Sequence, residues 1–209
     1  PEFCGCRILD LADPLNPSEK AHFRQNECHE TVARGKYMYV GGGRDAAWDV
    51  VDKMSLARVG SVRQSGAYAH STALSDDGKF LFVHDELDRE YDIAVFDLGY
   101  PANPTRVGDF SMRDRSRSHY SRVRGNYLYV AYHEAGFVLV DISNRVKLTL
   151  AAQYTTWPEA PVGAYQGAYD LSMTLPSGNI VVSDTKSGLH VFRDPFNVQT
   201  TPDGGSGGT

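Results

Sequence analysis

The chain has no apolar run of eighteen residues, no leader-type pattern of basic start, apolar middle and small-residue end, and no stretch that keeps a helical period over three turns. These absences exclude a membrane-spanning helix within the sequence and argue against a helical bundle. Positive charge is scarce as well. Lysine and arginine number 21 against 26 aspartates and glutamates, the net charge is −5, and the one basic cluster is "RDRSR" at residues 113–117. Nucleic acid is therefore excluded as an expected partner, because its phosphates call for a basic face. There are only three cysteines, Cys4, Cys6 and Cys28. A bridge between Cys4 and Cys6 is strained at that spacing, which leaves either a link from Cys28 to one of the pair or three free thiols.

Several signatures of catalysis are missing too. No G-x-S-x-G elbow joins a strand to a helix, and "VGGGRD" at residues 40–45 lacks the Gly-Lys-Ser/Thr that completes a phosphate loop. Cys28 precedes His29 directly, but adjacency along the chain does not aim one side chain at the other.

What the chain does have is repetition. "HETVARGKYMYVGGG" from His29 and "HYSRVRGNYLYVAYH" from His119 share a histidine, a glycine six positions on, and an aromatic-aliphatic-aromatic-valine strand. "HSTALSDDGKFLFVHD" from His70 is the same unit with two residues added before Gly78, and "YDLSMTLPSGNIVVSD" from Tyr169 is a looser copy in which Asp170 falls where the histidine stood. Each copy continues through a polar bend to a second apolar run, ending at Asp52, Asp97 and Asp141 in the first three, while "CRILDLADPLNPSEKAHF" matches only the later half of a unit and places Asp10. The aspartates are expected to accept backbone amides in the turns that follow, and Gly78 to take a positive φ in "DDGK".

Short strands bounded by Gly, Pro, Asn and Asp, with successive histidines 41 and 49 residues apart, predict an all-β propeller with about one four-stranded antiparallel blade per unit. The expected blades cover residues 29–64, 70–112, 119–154 and 168–195, preceded by a partial blade at 1–24 and followed at 200–209 by a Gly/Ser tail of linker composition. That count is read as four to five blades, a fragment of a larger ring, whose open blade edges offer a route to self-association. Tyr37, Tyr39, Phe80, Phe82, Tyr127 and Tyr129 alternate with aliphatics, as packing between blades requires.

The units "GNYLYVAYHEAGFVLVDIS" and "SGNIVVSDTKSGLHVFR" resemble the LVIVD-repeat proteins, a group of bacterial β-propellers. "YAHSTALSDDGKFLFVHDELD", "FDLGYPANPTRVGDF" and "GAYDLSMTLPSGNIVVSDTKSGLHVFR" look like the C-terminal part of the choice-of-anchor B family, and the resemblance spans residues 6–194. It implies a secreted or cell-surface bacterial protein with an export signal and varied C-terminal anchors, in a chain about twice as long, and it implies no established reaction. Where the family leads one to expect His-Asn at a blade start, this chain has His29-Glu30 and His119-Tyr120.

Because the innermost strands of a propeller converge on one axis, His29, His70, His119 and Asp170 are candidate ligands for Zn²⁺ or another transition metal at the channel rim, with Glu30 or Asp170 as a base. The competing role for each histidine is to cap its blade through a loop carbonyl. "HDELD" at residues 84–88 offers Asp85, Glu86 and Asp88 as hard oxygen ligands for Ca²⁺, without the glycine turn of an EF-hand. The function expected on balance is a binding scaffold that meets a protein or carbohydrate at its rim. The alternative is a metal-dependent hydrolase with a histidine-lined channel site.

Overall fold

In the computed structural model, the described residues are 5–24, 27–43, 47–63, 68–87, 91–112, 116–161, 163–194 and 196. They form seventeen strands and, among the described residues, no helix. A two-stranded sheet pairs β1 (Cys6–Asp10) with β2 (Ser18–Phe23). Next comes a four-stranded meander of β3 (Glu30–Arg34), β4 (Tyr37–Gly41), β5 (Ala47–Asp52) and β6 (Arg58–Arg63). A second meander joins β7 (Ala69–Leu74), β8 (Phe80–Asp85), β9 (Ile93–Asp97) and β10 (Thr105–Phe110), and a third joins β11 (Tyr120–Arg124), β12 (Tyr127–Tyr132), β13 (Gly136–Asp141) and β14 (Thr149–Tyr154). The last sheet has three strands: β15 (Ala168–Ser172), β16 (Ile180–Asp184) and β17 (Gly188–Phe192). Every pairing within a sheet is antiparallel, so the sheets are the blades of a β-propeller.

The alternation of side chains along each strand explains the stacking. In β12, Leu128, Val130 and Tyr132 pack with Phe82, Ile93 and Val95 of the preceding sheet, whereas Tyr129 and Ala131 pack with Leu171, Ile180 and Val182 of the following one. In β8, Leu81 and Val83 face Trp48 and Val50, while Phe82 faces the third meander. A middle strand thus buries both faces, which is why its sequence reads as an unbroken apolar run rather than as apolar-polar alternation. The outer strands carry the water-facing side. All six residues of β14 are exposed, as are Leu189 and Val191 of β17.

Local chemistry sets the strand ends. Gly35, Gly78, Gly125 and Gly178 take positive φ in the turns between the first two strands of their sheets, with φ from 54° to 73°. Asp10, Asp52, Asp97 and Asp141 each accept the amide two residues on, at 2.7–2.9 Å, closing the turns that lead to the outermost strands.

Of the two options open for the cysteines, the structure has a disulfide between Cys6 and Cys28, with Cα atoms 5.6 Å apart; Cys4 lies outside the described residues. The bridge ties the two-stranded sheet to the first meander, where Phe23, Met38, Val40 and Val51 form a small core. It closes a loop of sequence separation 22. Cys28→Ser is therefore expected to lower stability by about 3 kcal/mol, read as a lower denaturant midpoint in non-reducing buffer, with no difference between variant and wild type once dithiothreitol is present.

Candidate metal centre at the channel mouth

The first strands β3, β7, β11 and β15 lie side by side, so residues at their leading ends meet although they are far apart along the chain. His29 and His119 stand immediately ahead of β3 and β11, their amides donating to Gly41 O at 2.9 Å and Ala131 O at 3.0 Å. His70 lies inside β7, where the register with β8 shifts between Ala69 and Thr72, and such a bulge re-aims the side chain it carries. Ring centroids are 4.0 Å apart for His29 and His70, and 4.3 Å for His70 and His119.

The fourth residue drawn from the repeat, Asp170, does not join this group. Both β7 and β15 carry a one-residue shift against their second strands, and with Ala168 opposite Asp184 as Ala69 is opposite Asp85, and Leu171 opposite Val182 as Thr72 is opposite Val83, Tyr169 holds the place of His70 and Asp170 falls one residue further on. Its carboxylate instead accepts the Leu171 amide at 2.7 Å and faces Arg122 at 3.5 Å. The carboxylate among the histidines belongs to Glu86. Its Oε2 is 3.7 Å from His70 Nε2, and its Oε1 is 3.7 Å from His119 Nε2 and 3.5 Å from His133 Nε2. One ligand atom from each of His70, Glu86 and His119 lies within 4.8 Å of the others. "HDELD" is therefore divided in space. Glu86 turns to the imidazoles, Asp85 Oδ1 accepts the Tyr68 and Leu87 amides at 3.0 and 2.9 Å, and Asp88 lies outside the described residues.

His133 is the member that the repeat pattern did not single out. It follows β12 with φ of 21°, and its neighbour across the next sheet is Ala168. The corresponding bridge in the first meander joins Ala69 to Gly43, at φ 52°. Glycine takes that conformation freely, whereas a histidine there holds strain of order 1 kcal/mol, which points to use of its side chain. The only trace in the sequence is "AYHE" standing where another unit has "GGGR".

Burial governs the protonation of His70 and His119. His70, His119 and His133 are each 2 % exposed. Loss of solvent, reinforced by the neighbouring imidazoles, pushes His70 down to about 2 and His119 to about 4. His84, behind the cluster, falls to about 3 for the same reason, with one ring nitrogen 2.6 Å from Ser121 Oγ. All three are neutral at pH 7. In His119, Nδ1 is 2.6 Å from the Tyr169 carbonyl, which can only accept, so Nδ1 carries the proton and Nε2 presents a lone pair toward Glu86. Tyr165 closes the group from above, donating its hydroxyl to the Glu86 carbonyl at 2.6 Å, while the Arg117 guanidinium lies 4.6 Å from the centre of its ring.

Below the cluster, a cavity of ≈ 270 Å³ opens between β3, β7 and β11, with Glu30, Thr72, Ser121 and Arg122 among its walls. Burial raises Glu30 to about 7, against the lowering influence of Arg122 and of the Thr72 amide, which donates to Glu30 Oε2 at 3.3 Å. Thr72 Oγ1 is buried without a hydrogen-bond partner.

The comparisons with known proteins agree with this architecture. Residues 122–156, which span β12 to β14, match the family model of the LVIVD repeat. No curated protein matches the chain by sequence. Among solved structures it is similar to a protein from Lactobacillus plantarum (TM-score 0.72, 16 % identity, covering 90 % of this chain and 61 % of that one). It is also similar to the periplasmic gluconolactonase PpgL of Pseudomonas aeruginosa (TM-score 0.68, 14 % identity, 92 % of this chain and 60 % of that one). A third is the Cps50 (Swd1) beta-propeller domain of Myceliophteria thermophila (TM-score 0.63, 10 % identity, 90 % and 63 %). At these identities the likeness establishes the fold. The chain spans about 60 % of the length of these structures.

The neutral histidines make stability depend on pH. Between the ordinary histidine value of 6.5 and their folded values of about 2 to 4, His70, His84 and His119 bind a proton only when unfolded. Each thus removes about 1.4 kcal/mol of stability per pH unit as pH falls through that window. Glu30 acts in the opposite sense, holding a proton in the folded state between 4.5 and about 7. With three groups against one, the urea midpoint of metal-free protein is expected to drop steadily from pH 6.5 to 4.5, and more gently in His84→Gln. A midpoint that stays level or rises over that range would contradict neutral buried histidines.

Proposed function

We propose that this β-propeller binds a divalent transition-metal ion at the mouth of its channel, through His70, His119, His133 and Glu86, and that the site serves hydrolysis. The observation that carries the reading is the confrontation of His119 Nε2 with the Glu86 carboxylate. Two lone pairs face each other at 3.7 Å, too far for a hydrogen bond and unfavourable unless a cation lies between them. A proton in that place either neutralises the carboxylate or charges an imidazole that burial holds neutral. The separations of 3.5–3.7 Å between Glu86 oxygens and three Nε2 atoms suit a metal better. Ligands about 2.0–2.1 Å from a tetrahedral Zn²⁺ stand roughly 3.3 Å from one another, so the His70, Glu86 and His119 donor atoms, which lie within 4.8 Å of one another, draw together to seat the ion, and His133 closes in through its contact with Glu86. A donor set of three imidazoles and one carboxylate fits zinc and its first-row neighbours, and fits calcium poorly.

A bound ion of this kind supplies a Lewis acid and makes water acidic enough to act as a nucleophile near neutral pH. The protein's own groups hold the geometry. The Tyr169 carbonyl fixes the His119 tautomer, and the Asp85 turn with the Tyr165 hydroxyl positions Glu86. Glu30, with its proton affinity near pH 7, is the group on the channel wall suited to take up and return a proton. Because a structurally similar protein is named a gluconolactonase, lactones and simple esters are the first substrates to try.

The Cys6–Cys28 disulfide supports placement in a secreted or surface-attached protein, since such bridges persist in oxidising compartments. Membership of the choice-of-anchor B group fits the same setting. The exposed Leu189 and Val191 on the last sheet support self-association, or contact with a further protein surface.

The test is elemental analysis of the dialysed protein, followed by titration with Zn²⁺, Mn²⁺ and Co²⁺. About one equivalent of metal is expected, with a visible Co²⁺ absorption spectrum. Glu86→Ala and His119→Ala should weaken binding by more than the about 10–100-fold typical of outer-sphere changes, and should abolish any turnover of lactones and esters. A folded, metal-free chain that takes up none of the three ions would instead leave the histidines as blade caps and the propeller as a binding scaffold.

A further inference from the structure

A second cavity, of ≈ 230 Å³, lies beside the metal centre and uses none of its ligands; its walls include Ser116, Glu134, Gln153, Trp157, Pro158 and Gly163. Its floor is unusual. Glu134 is 9 % exposed, and its Oε1 accepts the Tyr165 amide at 2.6 Å. Oε2 of the same carboxylate is buried with no hydrogen-bond partner. An acceptor left dry in this way costs on the order of 1–3 kcal/mol, and more when charged, so a donor is to be expected from whatever enters the cavity. The walls are held in place. Gln153 Nε2 donates to Ala135 O at 2.9 Å, Thr156 donates to Asp184 at 2.6 Å, and the Ala160 amide returns to the Trp157 carbonyl at 3.1 Å. Trp157 is therefore a half-buried, positioned indole beside a buried carboxylate.

Two kinds of guest combine hydrogen-bond donors with affinity for an indole: a cationic amine and a sugar. Lys186 distinguishes them. Its ammonium already lies 5.7 Å from the centre of the Trp157 ring, so a second cation on that ring would be repelled, whereas a neutral polyol would not. The remaining polar groups also favour the sugar, since the Ser116 hydroxyl and the Gln153 amide are uncharged donor-acceptors suited to alcohols. We infer that this cavity is a carbohydrate subsite, in which a sugar ring stacks on Trp157 and donates a hydroxyl hydrogen bond to Glu134 Oε2. It stands apart from the metal reading, since neither the stacking surface nor the buried carboxylate needs an ion.

The chain has two tryptophans, and Trp48 is fully buried in a blade interface, so a change in indole emission on adding a sugar reports on Trp157. The experiment titrates the whole chain, with EDTA present throughout, against glucose, galactose, mannose, N-acetylglucosamine and their disaccharides. At least one is expected to give a saturable emission change below about 50 mM. Glu134→Gln should weaken it roughly 10-fold or more, and Trp157→Ala should abolish binding seen by saturation-transfer NMR. Trp157→Phe, which keeps an aromatic face, should still bind by NMR while losing the emission change. Trp157→Ala alters a half-buried loop residue, so it tests the inference even if Glu134→Gln fails to fold. Silence from every sugar, unchanged binding in Trp157→Ala, or saturation by tetramethylammonium in place of sugars overturns the inference. Since chelator is present, a failure here leaves the metal centre untouched, and the reverse also holds.

Discussion

Face-to-face packing between successive sheets is the constraint on which the rest of this molecule depends. A middle strand such as β12 has to satisfy two partners at once, giving Leu128, Val130 and Tyr132 to one neighbour and Tyr129 and Ala131 to the other. Four apolar clusters, one at each junction between consecutive sheets, follow from that rule. Since each sheet is pleated and antiparallel, stacking by alternate residues also dictates which strand lies innermost and which end of it points to the channel. The Cys6–Cys28 bridge reinforces the smallest junction, where the two-stranded sheet has the least apolar surface to offer.

The site inherits both its proximity and its chemistry from that packing. Four histidines and a glutamate drawn from three sheets are brought together, and the same burial that assembles them strips their water away. His70 and His119 stay neutral in that setting, and His119, whose Nδ1 proton is committed to a carbonyl, aims a lone pair inward. His133 shows the backbone accommodating the cluster, holding a conformation that a glycine occupies at the corresponding bridge. The adjoining cavity carries the same logic in milder form. Glu134 is buried by the neighbours that fix its other oxygen, and its second oxygen is left buried without a hydrogen-bond partner beside the cavity.

How much of this was legible in the sequence varied with how local the cause was. The turns were plain, because a glycine at positive φ and an aspartate bonding the amide two residues on act within four or five residues. His29, His70 and His119 were marked by recurrence at the start of each unit. Asp170 is not the counterpart of His70, because the glycine of the turn from β15 to β16 sits one residue later, relative to the paired strands, than that of the turn from β7 to β8; counted from the paired strands the counterpart is Tyr169, and in a pleated strand a one-residue slip redirects a side chain to the other face. In the sequence Glu86 stands out only as one charge of "HDELD" beside Asp85 and Asp88, yet neighbours in an extended segment point in opposite directions. Here one carboxylate binds backbone while the next meets imidazoles.

The sequence by itself determined the all-β repeat and the identity of the turn residues, because short apolar runs bounded by turn formers and the stereochemistry of those turns are properties of short stretches of chain. Only the tertiary structure decided that Glu86 and His133 complete the histidine cluster, that Cys6 is the partner of Cys28, and that Glu134 keeps an unpaired oxygen beside Trp157. Those outcomes depend on the separation and orientation of residues on different sheets, and interblade packing sets these quantities without leaving a spacing rule in the chain.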